Sequence, residues 1–237
     1  MEVNKLILED YSEIQKTIEN KTKKILFSIF FVIISFNAIS QNKDIVFADT
    51  TKGILLLVNK NYALPQDYIP ADLITMTEKY GDSNKVIKEE TYIAYKRMHD
   101  DAKIENINFW ITSAYRTYNY QKWLYEESVK ANGSAYADKD VAKQGFSEHQ
   151  TGLVIDIVSD RGQLLKIEFE KTKQFEWLSA HAHEYGFILR YPKDKENITG
   201  YRYEPWHYRY VGIETAKKVK ESNLTYDEYY KQFIDNQ

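Results

Sequence analysis

The chain has 237 residues, of which 43% are hydrophobic and 28% are charged, a composition typical of one globular domain. Its 32 basic and 35 acidic residues give a net charge of −3, which excludes the basic character expected of a nucleic-acid-binding protein. The chain contains no cysteine, so disulfide scaffolds, thiolate metal sites and cysteine nucleophiles are excluded, and any metal must be held by His, Asp or Glu.

The N-terminal region has the features of a secretory signal. Three lysines between positions 21 and 24 precede the apolar run 25–36, and Ala38 and Ser40 form a small-x-small pattern after it. A positive flank, a short apolar core and such a cleavage pattern are typical of a secretory signal. The run is shorter than the roughly 20 apolar residues of a membrane span.

Residues 1–40 are therefore predicted to be an N-terminal extension and signal peptide or membrane anchor, and residues 41–237 a single folded domain. Three alternatives stay open for the polar stretch 1–20: an unusually long signal flank, a later translation start, or part of an uncleaved anchor. In the last case residues 25–39 would tether the chain to the membrane. All three predict an exported protein that acts outside the cytoplasm, either secreted or anchored at the cell envelope.

The first part of the domain is predicted to contain a strand, an irregular segment and a helix. The apolar run 53–58 favours a strand. Pro65 and Pro70 each fix φ and remove a backbone donor, so irregular backbone is expected around them. A helix is predicted to begin at a cap at position 83 or 84 and to run to about residue 102.

The rest of the domain is predicted to alternate strands and helices. Strands are expected over 107–113, 152–158, 187–191 and 203–211. Helices are expected over 119–131, over 172–185, and as one or two amphipathic helices over 213–233. Gly186 is a good helix stop, and Pro205 favours an edge or a bulge for the last strand. This order predicts an α+β fold, a small antiparallel or mixed sheet flanked by helices.

Two of the five histidines lie in sequence contexts that suggest metal chemistry. Asp156 lies inside an apolar strand, where an ionised carboxylate is costly unless it is paired or metal-bound. A catalytic zinc needs three His or carboxylate ligands, an open position for water and a nearby group that carries a proton. Gly152 would let the chain turn so that His149 and Asp156 face one cation. His207 from the neighbouring strand would complete the set, with Glu204 free to face the bound water.

The same residues carry a resemblance to a known family. The pattern S-x-H-x-x-G-x-V-x-D over 147–156, followed by E-x-x-H over 204–207, resembles the signature of VanY-type D-alanyl-D-alanine carboxypeptidases, which are LAS metallopeptidases. The resemblance extends over about 55–212 and includes S-A-Y-R over 113–116. Val154 stands where the family usually has alanine, and it is adjacent to none of the proposed ligands.

The resemblance implies the hedgehog/D-Ala-D-Ala peptidase fold and one Zn²⁺ per chain, bound by His149, Asp156 and His207. Glu204 would be the general base that activates the zinc water and later protonates the leaving amine. Arg116 would hold the substrate near the scissile bond or grip its terminal carboxylate. Further substrate contacts are expected from Tyr115, Gln121, Ser147 and Trp206.

The implied substrates are peptidoglycan stem peptides that end in D-Ala. A D,D-carboxypeptidase would release the last D-Ala of a pentapeptide stem, and this is the leading prediction because the resemblance is to that family. The alternatives are an L,D-carboxypeptidase acting on tetrapeptide stems, an endopeptidase of the same fold, and a zinc-binding protein without catalysis. Glu204 argues against the last, because a binding module needs no carboxylate beside its metal.

The other three histidines are not expected to bind the metal. His181 and His183 are two residues apart on a predicted helix, so they point to different faces and are expected to be structural or exposed. His99 lies among charged residues in the sequence and is expected to face solvent.

Overall fold

The computed structural model describes residues 45–82 and 84–235, together with Lys21. The predicted signal and anchor otherwise lie outside the described residues, so they stay predictions. The chain divides into two units at Ile45, and all the elements below belong to the second unit. Within the described ranges, no helix is both long enough and apolar enough to cross a membrane.

The described residues form short strands and mostly short helices. The strands are β1 (Val46–Phe47), β2 (Tyr62–Ala63), β3 (Leu73–Thr75), β4 (Val86–Lys88), β5 (Trp110–Ser113), β6 (Val154–Val158), β7 (Phe187–Leu189) and β8 (His207–Tyr210). The α-helices are α1 (Glu89–Ile104), α2 (Tyr118–Asn132), α3 (Ser134–Asp140), α4 (Lys173–His181), α5 (Glu196–Thr199), α6 (Ile213–Ser222) and α7 (Tyr226–Phe233). Short 3₁₀ helices form Thr50–Leu55, Glu148–Thr151, Ile167–Lys171 and Ala182–Tyr185.

The central sheet has four antiparallel strands in the order β5-β6-β8-β7. Two smaller sheets pair β1 with β2 in parallel and β3 with β4 in antiparallel fashion. In the central sheet, Asp156 is the register partner of His207 on one side and of Ser113 on the other. The predicted α+β fold, a small antiparallel or mixed sheet flanked by helices, is confirmed, and the central sheet is antiparallel.

Strand β6 lies at the centre of the fold, and all five of its residues are buried. Ile155 and Ile157 pack into the main core, which includes Tyr95 and Met98 of α1. Side chains alternate across a strand, so Asp156 between them points to the opposite face of the sheet. The strand therefore anchors the core and presents one carboxylate on its other side.

Helices α6 and α7 cover the far edge of the central sheet. They bury Val219, Tyr226 and Tyr230 in a second core cluster, together with Ile188 of β7. Helix α7 begins with a capping box, in which Thr225 and Glu228 bond to each other's backbone N–H groups. The stretch 213–233, predicted to form one or two amphipathic helices, forms two.

The strand predicted over 53–58 is wrong. Residues Thr50–Leu55 form a 3₁₀ helix that begins where the side chain of Asp49 accepts a hydrogen bond from the backbone N–H of Thr51. Gly53 has a φ of 57°, a left-handed conformation that interrupts an extended chain. Residues 56–58 are buried, but they enter the core without joining a sheet.

Two further predicted boundaries are corrected by the sheet pairing. The helix expected from position 83 or 84 begins at Glu89, because Val86–Lys88 pair with β3 instead. Strand β8 begins only at His207 and lies between β6 and β7, so the edge position inferred from Pro205 is also wrong. Pro205 instead precedes the strand, in a turn where the carbonyl of Glu204 accepts from the N–H of His207.

The prediction that His99 faces solvent is wrong, because only 4% of its surface is exposed. On α1 it lies on the buried face, and its ring packs edge-on against Tyr80 and Phe109. Burial, partly offset by Asp100, lowers the pKa of His99. His181, by contrast, is partly exposed, with its Nδ1 3.4 Å from Oε1 of Glu184.

Candidate metal centre

The three predicted zinc ligands come together on one face of the central sheet. His149 lies in the 3₁₀ helix before β6, Asp156 lies in the middle of β6, and His207 opens β8. Nε2 of His149 lies 3.2 Å from Oδ2 of Asp156, and Nδ1 of His207 lies 3.2 Å from Oδ1 of Asp156. All three residues are buried, and their potential ligand atoms lie within 4.8 Å of one another.

Local backbone geometry fixes the position of His149. Its Nδ1 donates a 2.6 Å hydrogen bond to the main-chain oxygen of Ala114, which leaves Nε2 with a free lone pair for a metal. Gly152 ends the 3₁₀ helix with a φ of 71°. A Cβ there would lie 3.0 Å from Leu73 and 3.3 Å from the backbone nitrogen of Lys88. The close turn between His149 and β6 therefore requires glycine.

Asp156 is held in its ionised form by its neighbours. Nη2 of Arg116 donates to Oδ2 of Asp156 at 2.8 Å, and the same guanidinium donates to Oγ of Ser113. Burial alone would raise the pKa of Asp156, but His149, His207 and Arg116 outweigh it and hold the pKa well below its usual value. Oδ1 of Asp156 is buried and lies 3.2 Å from Nδ1 of His207, but it accepts no well-aligned hydrogen bond from the described residues.

Glu204 lies next to the ligands in a different electrostatic environment. Its Oε2 lies 3.3 Å from Nδ1 of His207. Burial, opposed mainly by His207 and reinforced by Asp156, raises the pKa of Glu204 to about 7. A carboxyl group with a pKa near neutrality can both accept and return a proton at physiological pH.

The two imidazoles have opposite pKa shifts. Burial and the positive charge of Arg116 lower the pKa of His149 to about 4. Burial also disfavours the charged form of His207, but Asp156, Glu148 and Glu204 raise its pKa to about 9. Asp156 and Glu204 face Nδ1 of His207 and Glu148 faces its Nε2, so these carboxylates favour the charged form of the imidazole.

The sequence analysis assigned no role to Glu148, yet it is a buried part of the centre. Its Oε1 accepts from Arg190 and Arg209, each at 2.9 Å, and Nη1 of Arg190 continues to Asp227 at 2.6 Å. Oε2 of Glu148 lies 3.9 Å from Nε2 of His207, on the side of the ring away from the metal face. Although burial opposes ionisation, the two arginines lower the pKa of Glu148 to about 2. The signal for this role was present: two arginines, at positions 190 and 209, lie among apolar residues.

A cavity of about 250 Å³ opens onto these groups. Besides the three ligands and Glu204, it is lined by Arg116, Gln121, Leu124, Asp140, Val141, Ala142, Ser147, Leu165, Tyr191, Tyr201 and Trp206. Of the predicted substrate contacts, Tyr115 alone is not among the described residues that line it, and its role stays a prediction. The sequence analysis did not single out Tyr191 and Tyr201, because neither lies within the two histidine motifs.

Gln121 and Ser147 are both fixed by hydrogen bonds at the cavity wall. The side-chain amide of Gln121 donates to the main-chain oxygen of Ala142 at 2.8 Å, and its oxygen accepts from Arg116 at 3.4 Å. Oγ of Ser147 accepts from the backbone N–H of His149 at 3.3 Å. Ser147 therefore helps to order the ligand helix, as well as lining the cavity.

The donor set fits a zinc ion. Two imidazole nitrogens and one carboxylate oxygen are typical of a catalytic zinc site with an open position. Ligands about 2.0–2.1 Å from one tetrahedral ion would lie roughly 3.3 Å apart. Each histidine lies 3.2 Å from a different oxygen of Asp156, and the three ligand atoms lie within 4.8 Å of one another, so small side-chain adjustments would bring them onto one ion. Oδ1 of Asp156 is a buried acceptor without a well-aligned hydrogen bond, although Nδ1 of His207 lies 3.2 Å away, and a cation between the two atoms would satisfy it.

Comparison with known proteins gives the same family as the sequence patterns. The family model for VanY D-alanyl-D-alanine carboxypeptidase matches residues 84–213. The putative carboxypeptidase YodJ of Bacillus subtilis is 41% identical over 83% of this chain and 74% of its own length.

Solved structures share both the fold and the sequence. The LdcB LD-carboxypeptidase, whose structure is described as revealing the basis of peptidoglycan recognition, is 43% identical with a TM-score of 0.71, over 76% of this chain and 86% of that one. A D,D-pentapeptidase VanY from a VanB-type resistance cassette, solved as a point mutant in complex with Zn(II), is 34% identical with a TM-score of 0.64, over 74% of this chain and 97% of that one. These likenesses confirm the expected fold and an enzyme of the carboxypeptidase class. The chain belongs to the VanY family of D-alanyl-D-alanine carboxypeptidases.

Proposed function

We propose that this carboxypeptidase depends on zinc and releases the terminal D-Ala from peptidoglycan stem peptides. The observation that carries the proposal is the convergence of His149, Asp156 and His207, with Oε2 of Glu204 3.3 Å from His207, at the wall of one cavity. The zinc in the solved VanY relative supports the choice of metal. The export predicted from the N-terminal region would bring the enzyme to this substrate.

The residues of the centre have separate roles in hydrolysis. Nε2 of His149, Nδ1 of His207 and a carboxylate oxygen of Asp156 would hold the metal. When bound, zinc supplies a Lewis acid that polarises a carbonyl and makes water more acidic. Glu204 accepts a proton from the attacking water as its oxygen adds to the scissile carbonyl carbon. Glu204 then donates this proton to the amine nitrogen as the carbon–nitrogen bond breaks.

Arg116 would bind the substrate as well as fix the position of Asp156 through their hydrogen bond. Its Nη2 contacts Asp156, whereas its Nη1 points toward Gln121 at the cavity wall. A planar, permanently charged guanidinium suits either the terminal carboxylate of D-Ala or the negative charge that develops on the scissile carbonyl oxygen. Gln121 and Trp206 line the same cavity and would contact the residues on either side of the scissile bond.

Stem length separates two forms of the proposal. The VanY family favours D,D activity, in which the last D-Ala leaves a pentapeptide stem. The likeness to LdcB, an LD-carboxypeptidase with 43% identity, favours release of D-Ala from a tetrapeptide stem. Both reactions would use the same metal ligands and the same base. They differ in the substrate residue that precedes the scissile bond and occupies the cavity beside it.

Mass spectrometry of stem digests tests the proposal. The purified, zinc-loaded protein is incubated separately with a pentapeptide stem and a tetrapeptide stem, and the products are weighed. We expect loss of one D-Ala from at least one stem, and the preferred stem identifies the D,D or L,D form. Absence of D-Ala release from both stems, with one zinc per chain shown by elemental analysis, would refute the proposal.

A further inference from the structure

A second cavity, of about 310 Å³, adjoins the catalytic cavity. The two cavities share Val141 and Tyr201, so a ligand that extends from the metal centre past these side chains enters the second one. We call this second cavity the lysine pocket. It is lined by Lys60, Asp138, Val141, Lys143, Phe146 and Tyr201.

The charges in the lysine pocket do not cancel. Lys60 and Lys143 contribute two positive charges and Asp138 contributes one negative charge, which leaves one positive charge in excess. Asp138 is already engaged, because its Oδ1 accepts from the hydroxyl of Tyr125 at 2.7 Å and lies 3.3 Å from Nζ of Lys143. The pocket therefore has more cationic than anionic capacity.

Both ammonium groups keep the freedom to bind a ligand. Nζ of Lys60 donates to the main-chain oxygen of Asp138 and lies 4.5 Å from the centre of the Tyr201 ring, which holds it at the junction of the two cavities. The side chain of Lys143 is 54% exposed. An ammonium group has three donors, so each lysine has donors beyond those that its protein contacts use.

Stem peptides present carboxylates near the scissile bond. The second residue of a stem, D-glutamate, keeps a free α-carboxylate unless it is amidated. The third residue carries another carboxylate when it is diaminopimelate but not when it is lysine. These groups lie within about three residues of the scissile bond, or roughly 10 Å at the extended reach of about 3.3–3.6 Å per residue. A cationic pocket that adjoins the catalytic cavity is therefore a candidate site for these carboxylates.

We infer that the lysine pocket binds a carboxylate of the stem peptide through Lys60 and Lys143, and so makes the enzyme prefer stems with that free carboxylate over stems in which it is amidated or absent. The inference rests on the proposed function, because it takes the stem peptide as the substrate. It adds a specificity that the metal centre alone does not provide.

Four peptides of the preferred stem length test the inference and identify the carboxylate. They combine D-glutamate or its amide at position two with diaminopimelate or lysine at position three. We expect the KM for the stem with both carboxylates to be lower than that for the stem with neither, by up to about fivefold for each exposed charge pair. A rise in KM on amidation at position two, or on replacement by lysine at position three, shows which carboxylate is bound. The preference should also weaken as the salt concentration is raised.

Two variants and a matched control connect this preference to the pocket. Lys60→Gln and Lys143→Gln should each reduce the ratio of KM values between amidated and carboxylate stems, and the double variant should abolish it. Lys139→Gln makes the same change in net charge one residue from Asp138, but Lys139 is exposed and does not line the pocket. This control should keep the ratio within about twofold of the wild type, as expected for a surface charge.

The outcomes separate the inference from the proposed function. Equal KM values for all four stems in the wild type would overturn the inference, as would a preference that survives in the double variant or is lost equally in Lys139→Gln. Binding of the four peptides to zinc-loaded Glu204→Gln protein, measured by titration calorimetry, gives the same comparison without turnover. Discrimination in binding with no D-Ala release would support the pocket and refute the proposed function. Release of D-Ala with equal affinity for all four stems would support the proposed function and refute the role of the lysine pocket.

Discussion

Asp156, which is buried, and Glu204, whose side chain is 15% exposed, lie beside the same imidazole, yet their pKa values shift in opposite directions. Asp156 contacts two histidines and an arginine, and these keep it ionised. Glu204 has His207 as its main positive neighbour, while burial and Asp156 favour its protonated form. A cation bound beside Glu204 would lower the pKa of Glu204 and so favour its ionised form, which is the form that a general base needs. In the proposed mechanism, this difference in environment separates a metal ligand, Asp156, from a proton carrier, Glu204.

The division of roles predicts the effect of Glu204→Gln. We expect this variant to bind one zinc per chain, because the three ligands are unchanged, and to lose about 10²- to 10⁴-fold in kcat, the usual contribution of a general base. Elemental analysis and D-Ala release measure the two effects. Glu126→Gln, on the exposed face of α2, is the control and should retain wild-type kcat. Full activity in Glu204→Gln would show that another group is the base.

At the residue level, the sequence identified groups whose burial was chemically unusual. Asp156 stood out because it interrupts an apolar strand, and the two histidines stood out by their motifs. His99 was misjudged because its neighbours in the sequence are charged, whereas its neighbours on α1 are Tyr95 and Ala102, which lie on the buried face. Helical periodicity, rather than local composition, decides the exposure of such a residue.

Among the elements, long periodic helices and β-branched strands could be predicted, and short apolar segments could not. Helix α2 was expected over 119–131 and forms Tyr118–Asn132. The run 53–58 is as apolar as a buried strand, but nothing in its pattern distinguishes a strand from a buried turn. The residues of a strand do not identify the strand with which it pairs. The pairing of β3 with β4 and the interior position of β8 could therefore be seen only in the structure.

One set of contacts connects helix α7 to the metal centre. Asp227 in its first turn pairs with Arg190 after β7, Arg190 pairs with Glu148, and Glu148 lies behind the ring of His207. Arg209 of β8 completes the charge balance at Glu148. Each charge in this series is buried or nearly so, and it depends on its neighbours for compensation.

This series of charges predicts a double effect for Glu148→Gln. Loss of the carboxylate leaves two buried guanidinium groups poorly compensated, so the free energy of unfolding should fall by about 3–5 kcal/mol. His207 also loses its oriented neighbour, and zinc affinity should fall by about 10- to 100-fold, as for other groups behind metal ligands. Urea unfolding and a competition titration with a chelator measure these quantities. The prediction fails if zinc affinity matches that of the exposed control Glu184→Gln.

For the whole molecule, the metal centre joins segments that are distant in sequence. The 3₁₀ helix at Glu148–Thr151, strand β6 and strand β8 each contribute one ligand. The three proposed ligands converge only in the folded state, so a cation bound by them would stabilise the entire domain. The family resemblance could be stated from the sequence because its motifs lie on these same segments.

Removal of zinc should therefore lower the melting temperature as well as activity. Zinc at 100 times its Kd contributes about 2.7 kcal/mol, and each kcal/mol is worth about 2–4 °C for a domain of this size. We expect calorimetry to show a Tm about 5–10 °C lower after chelation, with recovery of Tm and activity when zinc is returned. Magnesium, which prefers oxygen ligands, should not restore either. An unchanged Tm would argue against a metal bound by these three residues.

The contact between Asp227 and Arg190 also concerns the order in which the protein is made. Asp227 follows all three ligands in the sequence, so it leaves the ribosome after them. Before Asp227 is present, Arg190 and Arg209 share the single carboxylate of Glu148. Glu148, which lies behind the imidazole of His207, is then less firmly held. We therefore expect hydrolytic activity to require the docking of helix α7, and a product that terminates before this helix to be inactive.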